Sequence, residues 1–317
     1  MNSSLRIIFM GTPEFAVSSL EILVEHGYNV VAVITAPDKP AGRGLKLVPS
    51  AVKEAALKHG IPVLQPEKLK NPEFLETLRS YNADLQIVVA FRMLPELVWN
   101  MPAKGTFNLH ASLLPDYRGA APINWAIMNG ETETGVSTFF LQHEIDTGDL
   151  ILQEKEPVHP DDNVGTLYER LMKLGADLVL RTVKAIDAGT VQPVPQRQSA
   201  EPKLAPKLFR ENCEADFNRT SAELVNFVRG LSPYPGAWAN INGKIYKLLK
   251  ISAVFDAAIS AEAPAGQGSN APVGSTLSDG KTYIHIKTGD GFISLDEFVP
   301  EGKKSMNAKT FLAGNKI

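Results

Sequence analysis

Residues 5–35 read LRIIFMGTPEFAVSSLEILVEHGYNVVAVIT. Leu5 to Met10 is an unbroken apolar run of strand length, the pattern of a strand buried on both faces. Gly11-Thr12-Pro13 then turns the chain. Phe15, Leu20, Leu23 and Val24 recur at helical spacing up to Gly27, and Asn29 to Thr35 is a second apolar run. Strand, helix and strand in this order make a crossover unit, which sets the two strands parallel and the connection right-handed.

The alternation continues outward from this unit. Ala51 to His59 and Pro72 to Tyr81 read as helices, Pro62 to Gln65 and Leu85 to Ala90 as strands, and Thr106 to His110 and Val136 to Leu141 as strand-like runs. Asn163 to Ala188 is the longest helical pattern, with Leu167, Leu171, Leu174, Leu178 and Ile186 on one side. The expected fold is α/β: a Rossmann-like, doubly wound, mostly parallel sheet covered on both faces. Past Gly189 the texture changes. Pro193, Pro195, Pro202 and Pro206 stand among few apolar residues, which reads as an extended linker over 190–207. Beyond it a helix at Ser221 to Gly230 precedes short strands separated by turns such as Asn242-Gly243 and Asp279-Gly280. This predicts a catalytic domain over 1–189 and a small OB-like β-barrel domain over 208–317.

The chain has 317 residues, 44% of them hydrophobic, and one cysteine. Cys213 alone excludes an intramolecular disulfide and a zinc site built on several thiolates. No apolar stretch approaches the ~18 residues of a membrane helix. Met1 to Phe9 lacks the apolar core and small-residue cleavage site of a signal peptide, so a cytoplasmic protein without a membrane partner is expected. A net charge of −3 argues against a generic nucleic-acid binder, but the charge is uneven. Residues 207–317 hold 13 Lys and Arg against 11 Asp and Glu, a balance of +2 that leaves −5 on the rest.

A doubly wound sheet raises the question of a dinucleotide. Gly11-Thr12-Pro13-Glu14-Phe15 has one glycine where the fingerprint needs three, a proline that removes an amide, and a carboxylate where a pyrophosphate would lie. The informative stretch is Phe107 to Gly119. Asn108 and His110 are two apart on a predicted strand and face the same side. Asp146-Thr147-Gly148-Asp149 follows another predicted strand. An amide that donates to a developing oxyanion, an imidazole that moves a proton and a carboxylate that orients it form a set suited to acyl transfer. A polar cluster that merely caps the sheet fits the spacing equally well. No nucleophile elbow surrounds Ser112, and Cys213 lies outside this region, so the substrate is expected to bring its own nucleophile. No H-x-x-x-H or H-E-x-x-H spacing points to a metal, and none is expected.

At these residues the chain resembles the formyltransferases that use 10-formyltetrahydrofolate: Asn108-x-His110, Ser112-Leu113-Leu114-Pro115 with Arg118-Gly119, and Asp146 to Asp149. Ile7 to Val17, Asp38 to Lys46, Arg118 to Ile123, Ala205 to Leu208 and Pro233 to Trp238 are similar to the branch of that family that formylates methionine on initiator tRNA. The resemblance implies that Asn108, His110 and Asp146 are catalytic, with Asp146 acting on His110 directly or through a water. It places folate at Ser112, Leu113, Leu114 and Pro115 and at Phe91, Arg92, Met93 and Leu94. It places the tRNA on Lys39, Arg43 and Lys46, with Lys207 in support. The partners implied are initiator methionyl-tRNA and tetrahydrofolate, and a monomer is expected. The rival expectations are a formyltransferase for another amine, such as a nucleotide-linked amino sugar or glycinamide ribotide, a hydrolase of the same folate, and a non-catalytic RNA or folate binder.

Overall fold

The computed structural model describes residues 4–41, 46–197, 201–254 and 271–317. The chain begins with β1 (Arg6–Gly11), α1 (Glu14–Glu25), β2 (Asn29–Ile34), β3 (Lys39–Ala41), β4 (Lys46–Val48), α2 (Ala51–Lys58), β5 (Val63–Leu64), α3 (Pro72–Ser80) and β6 (Leu85–Val89). It continues with α4 (Glu96–Trp99), β7 (Thr106–His110), β8 (Arg118–Gly119), α5 (Pro122–Met128), β9 (Glu133–Phe140), β10 (Leu150–Pro157), α6 (Val164–Asp187) and β11 (Leu204–Ala205). After a 3-10 turn at Arg210–Cys213 come α7 (Ser221–Leu231), β12 (Ala237–Ile241), β13 (Lys244–Val254), β14 (Thr276–Ser278), β15 (Ile284–Lys287), β16 (Phe292–Pro300) and α8 (Ala308–Leu312). Two compact units result. The first holds Met1–Gly119, Glu133–Pro157 and Tyr168–Leu204, and the second Ala120–Thr132, Val158–Leu167 and Ala205–Ile317. No described helix is long and apolar enough to cross a membrane.

In the first unit seven strands lie in the order β10-β9-β7-β6-β1-β2-β5. β1, β2, β5, β6 and β7 are parallel, and β9 runs antiparallel to both β7 and β10. The chain adds β2 and β5 on one side of β1 and β6 and β7 on the other, so the order switches between β1 and β6. In such sheets ligands gather outside the carboxyl ends of the strands. The apolar run at the start behaves as a central strand: Ile7, Ile8, Phe9 and Met10 are fully buried. Ile8 and Met10 pack with Ala32, Ile34, Val88 and, from α3, Phe74, Leu75 and Leu78. Gly11 is required by close packing and not by a phosphate. A β-carbon there would stand 2.6 Å from Cβ of Ala16 and 3.1 Å from the Val89 carbonyl. The strand β10 escapes the sequence reading because Glu154, Lys155 and Glu156 interrupt its apolar pattern. It is an edge strand, and its charges meet neighbours, as in Lys155–Glu133, Arg170–Glu156 and Arg181–Glu154.

The second unit is built on a five-stranded antiparallel sheet, β12-β13-β16-β15-β14. Leu224, Phe227, Val228 and Leu231 of α7 pack with Leu248, Ile251, Ile286, Ile293, Leu295 and Phe298 of the strands. The helix α5 belongs to this unit. Asn124 Nδ2 donates to the Gly230 carbonyl at 2.8 Å, and a β-carbon on Gly230 would stand 2.5 Å from Met128 Cγ. The α7 N-terminus carries a capping box between Thr220 and Glu223. Asp290 Oδ1 accepts from the Ser221 amide at 2.7 Å and from Ser221 Oγ at 3.0 Å. The Ser221 amide holds the Asp290 carboxyl below the usual carboxylate range. The folded state therefore binds this proton less readily than the unfolded chain. The contact stabilises the fold above the ordinary carboxylate range and fades as pH falls through it. Asp290→Asn is expected to lower the melting temperature near neutral pH, and the gap to the parent protein should close as the pH of a circular-dichroism melt is lowered below that range.

Candidate active site

β7 places Asn108 and His110 on one side, two residues apart, at the carboxyl end of a parallel strand. His110 is buried, with 6% exposure. Its Nε2 lies 2.8 Å from the carbonyl oxygen of Tyr117. A carbonyl only accepts, so Nε2 carries the hydrogen and the lone pair of the neutral ring is on Nδ1. Nδ1 faces Asp146 Oδ2 at 3.8 Å, beyond a hydrogen bond and within ion-pair reach. A proton arriving at Nδ1 would sit between ring and carboxylate. Both N–H groups of the resulting imidazolium are then matched, one by the Tyr117 carbonyl and one by Asp146. No described residue hydrogen-bonds the Asn108 carboxamide, which is half-buried on the same side of the strand.

Asp146 is held by its backbone as well as its charge. It sits in the left-handed region at φ 55°, which aspartate tolerates better than most side chains. Its Oδ2 accepts from the Gly119 amide at 3.0 Å. Gly148 can only be glycine, since a β-carbon would stand 1.7 Å from the Phe140 carbonyl. The amide of Phe140 in turn donates to the Asp149 carbonyl at 3.0 Å. Sequence reasoning missed one further group at this turn. Gln196 Nε2 donates to the carbonyls of Asp146 at 2.9 Å and Gly148 at 2.8 Å, and its Oε1 accepts from Arg118 Nε and Nη2 at 3.2 and 2.5 Å. Val194 and Leu150 exchange both backbone hydrogen bonds, at 2.8 and 2.9 Å. The proline-rich segment thus does more than join the parts of the chain. A lone glutamine among prolines carries no motif, so only the fold reveals it.

The Ser112–Pro115 loop is fastened to the sheet beneath it. Ser112 Oγ donates to the Asp116 carbonyl at 2.6 Å, and Ser137 Oγ donates to the Ser112 carbonyl at 2.6 Å. Ser137 Oγ also accepts from the Leu114 amide at 3.2 Å and from Gln153 Nε2 at 2.8 Å, while Gln153 Nε2 reaches the Leu114 carbonyl at 3.0 Å. Leu113 and Pro115 remain half-buried, whereas Leu114 points inward. The Phe91–Leu94 group is less uniform than its sequence suggests. Met93 is 74% exposed and Phe91 half-buried, but Leu94 is a core residue beside Val98 and Phe74. Arg92 Nη1 donates to the Glu67 carbonyl at 2.8 Å and Nη2 to that of Pro66, so much of its guanidinium is engaged by backbone.

The segment around Lys39 is a small hairpin in which β3 pairs with β4, Lys39 opposite Val48 and Ala41 opposite Lys46. Lys39 is exposed, while Arg43 and the Lys46 side chain lie outside the described residues. The hairpin's base is pinned. Asp38 Oδ2 meets Lys53 Nζ at 2.6 Å and Asp38 Oδ1 accepts from Gln65 Nε2 at 2.7 Å. The Lys53 hydrogen bond holds the Asp38 carboxyl below its ordinary range. On the outgoing side Thr35 Oγ1 lies 2.7 Å from Ser50 Oγ, which also caps α2 through the Lys53 amide. Lys207, in the second unit, is exposed with Nζ 5.4 Å from the Phe209 ring centroid. Cys213 is buried in that unit and burial pushes its thiol up, away from nucleophilic use. Among the described residues no three His, Cys, Asp or Glu side chains gather as a metal-binding group.

This fold is that of the formyl transferases. Residues 5–183 match the formyl transferase family and residues 207–316 match the formyl transferase C-terminal domain, so the chain belongs to the formyl transferase family. It is 55% identical over 317 residues to the methionyl-tRNA formyltransferase of Parabacteroides distasonis, covering 98% of this chain and 96% of that one. It is 52% identical over 321 residues to the methionyl-tRNA formyltransferase of Azobacteroides pseudotrichonymphae, covering 99% and 97%. The crystal structure of WlaRD, a sugar 3N-formyl transferase, superposes with a TM-score of 0.64 at 19% identity over 95% of this chain and 99% of that one, which shows a shared fold.

Ser137 is fully buried and serves three backbone and side-chain groups at once. Ser137→Ala leaves the Leu114 amide without its acceptor and is expected to cost about 1–3 kcal/mol of stability. Urea unfolding of the two proteins checks this, and an unchanged midpoint would contradict the fastening of the loop.

Proposed function

We propose that this chain transfers the formyl group of 10-formyltetrahydrofolate to the free α-amino group of methionine on initiator tRNA, giving N-formylmethionyl-tRNA and tetrahydrofolate. The observation that carries the reading is the placement of Asn108, His110 and Asp146 at the carboxyl end of β7, in a chain more than half identical to two methionyl-tRNA formyltransferases over nearly their full lengths. The likeness to a sugar formyltransferase is one of fold alone.

The folate supplies the formyl group, and the protein supplies position and proton handling. An α-amine with an ordinary pKa of ~7.7–8.0 has a sizeable neutral fraction in the cell and needs little activation. As its nitrogen bonds to the formyl carbon, the Asn108 carboxamide donates to the negative charge on the formyl oxygen. His110 Nδ1 takes the proton that the amine nitrogen must lose, and Asp146 faces the imidazolium so formed. The bond from the formyl carbon to the folate nitrogen then breaks, and that nitrogen receives a proton. Ser112 to Pro115 with Phe91, Arg92, Met93 and Leu94 form the folate side, Leu94 from the core beneath it. Lys39, Arg43 and Lys46 meet the acceptor end of the tRNA, with Lys207 adding a phosphate contact. Neither proton transfer nor charge stabilisation in this scheme calls for a metal, and we place the enzyme in the cytoplasm as a monomer.

The test incubates the purified protein with 10-formyltetrahydrofolate and charged initiator tRNA, with charged elongator methionine tRNA alongside. Formylated methionine should accumulate on the initiator. Free formate without formylmethionine would mean a hydrolase, and formylation of a nucleotide-linked amino sugar in its place would mean the rival amine. His110→Ala and Asn108→Ala should each lower kcat by ~10²-fold or more while tRNA binding persists.

A further inference from the structure

We propose that Gln196 is a positioning residue for the Asp146 carboxylate, acting through the backbone of the Asp146–Gly148 turn. The proposal rests on the reading of His110 and Asp146 as the proton-handling pair. A carboxamide has two N–H donors and two acceptor lone pairs. Both donors of Gln196 are used, on the carbonyls of Asp146 and Gly148, and its oxygen takes two N–H groups from the Arg118 guanidinium. The side chain is thus saturated, and its orientation is fixed, because the flipped amide would set an oxygen against two carbonyls. No other natural side chain meets the same demands. Glutamate brings acceptors to acceptors, asparagine is a methylene short, and leucine offers neither donor nor acceptor.

The clamp matters because of what it joins. Three consecutive residues serve the site in turn: the Tyr117 carbonyl takes the His110 Nε2 hydrogen, Arg118 holds Gln196, and the Gly119 amide holds Asp146 Oδ2. Gln196 closes the circuit from this strip to the turn that carries Asp146. That turn sits in the left-handed region at Asp146, a conformation that persists where surrounding contacts over-determine it. Gln196 is itself registered by the paired backbone bonds between Val194 and Leu150, one residue beyond Asp149. The 3.8 Å between His110 Nδ1 and Asp146 Oδ2 is therefore set from outside the pair.

A double-mutant cycle tests this in single-turnover assays on the full chain. Gln196→Leu in the parent protein should lower the rate by roughly 10- to 100-fold, since small misplacements of reacting groups carry losses of that order. KM for tRNA and for folate should stay within about twofold, because no substrate contact is removed. In an Asp146→Asn background the same change should cost less than about twofold, because the group it positions is already gone. Equal losses in the two backgrounds, or full activity of Gln196→Leu, would overturn the proposal. Gln196→Glu gives a second readout that does not depend on the leucine variant folding. Its activity relative to the parent's at the same pH should rise as pH is lowered and the new carboxyl regains a donor, whereas a pH profile parallel to the parent's would overturn the proposal. Full activity of Asp146→Asn alone is a distinct result, which would overturn the proton-handling reading beneath it.

Discussion

A neutral imidazole has two nitrogens and one hydrogen. The Tyr117 carbonyl, 2.8 Å from His110 Nε2, claims that hydrogen and leaves the other nitrogen as the base. Everything chemical about the site follows from this choice. The lone pair at Nδ1 faces the one carboxylate that the β9–β10 connection brings to it, and the imidazolium, once formed, has a partner at both ends. Were the ring held the other way, Asp146 would face a permanent N–H and His110 would have no base directed to that side.

The rest of the fold serves to keep that geometry still. The parallel strands deliver β7 to the edge where ligands gather, and Gly11 lets α1 lie directly on the sheet beside the switch in strand order. The turn bearing Asp146 is fixed by contacts that no flexible loop would supply: a glycine pressed onto the Phe140 carbonyl, an amide from Gly119 and the carboxamide of Gln196. The Ser112–Pro115 loop is fastened from below by Ser137 and Gln153. Rigid elements thus hold these side chains, which is how a site keeps its groups within narrow positional tolerances.

Much of this was legible in the sequence, for identifiable reasons. Continuous apolar runs such as Leu5 to Met10 mark strands that are covered on both faces, and Asn108 and His110 show their common side through the period of a strand. The edge strand β10 was hidden because an edge tolerates the charges that blur its pattern, and α5 was hidden because its partners lie about a hundred residues away, as in the bond from Asn124 to Gly230. Leu94 takes a core place that its neighbours in sequence do not announce. Gln196 was invisible because its importance lies entirely in which carbonyls it meets, and a hydrogen-bond partner on a distant loop leaves no local signature. A tRNA-facing role for Arg43 rests on the sequence resemblance alone, since that residue lies outside the described part of the chain.

The orientation of His110 is the claim from which the others descend, and nitrogen-15 spectroscopy reads it directly. In protein labelled at histidine, at a pH where the ring is neutral, the long-range nitrogen–proton couplings of the signal lost in His110→Gln identify which nitrogen carries the hydrogen. A protonated Nε2 and an unprotonated Nδ1 are expected. A neutral ring protonated at Nδ1 would contradict this orientation.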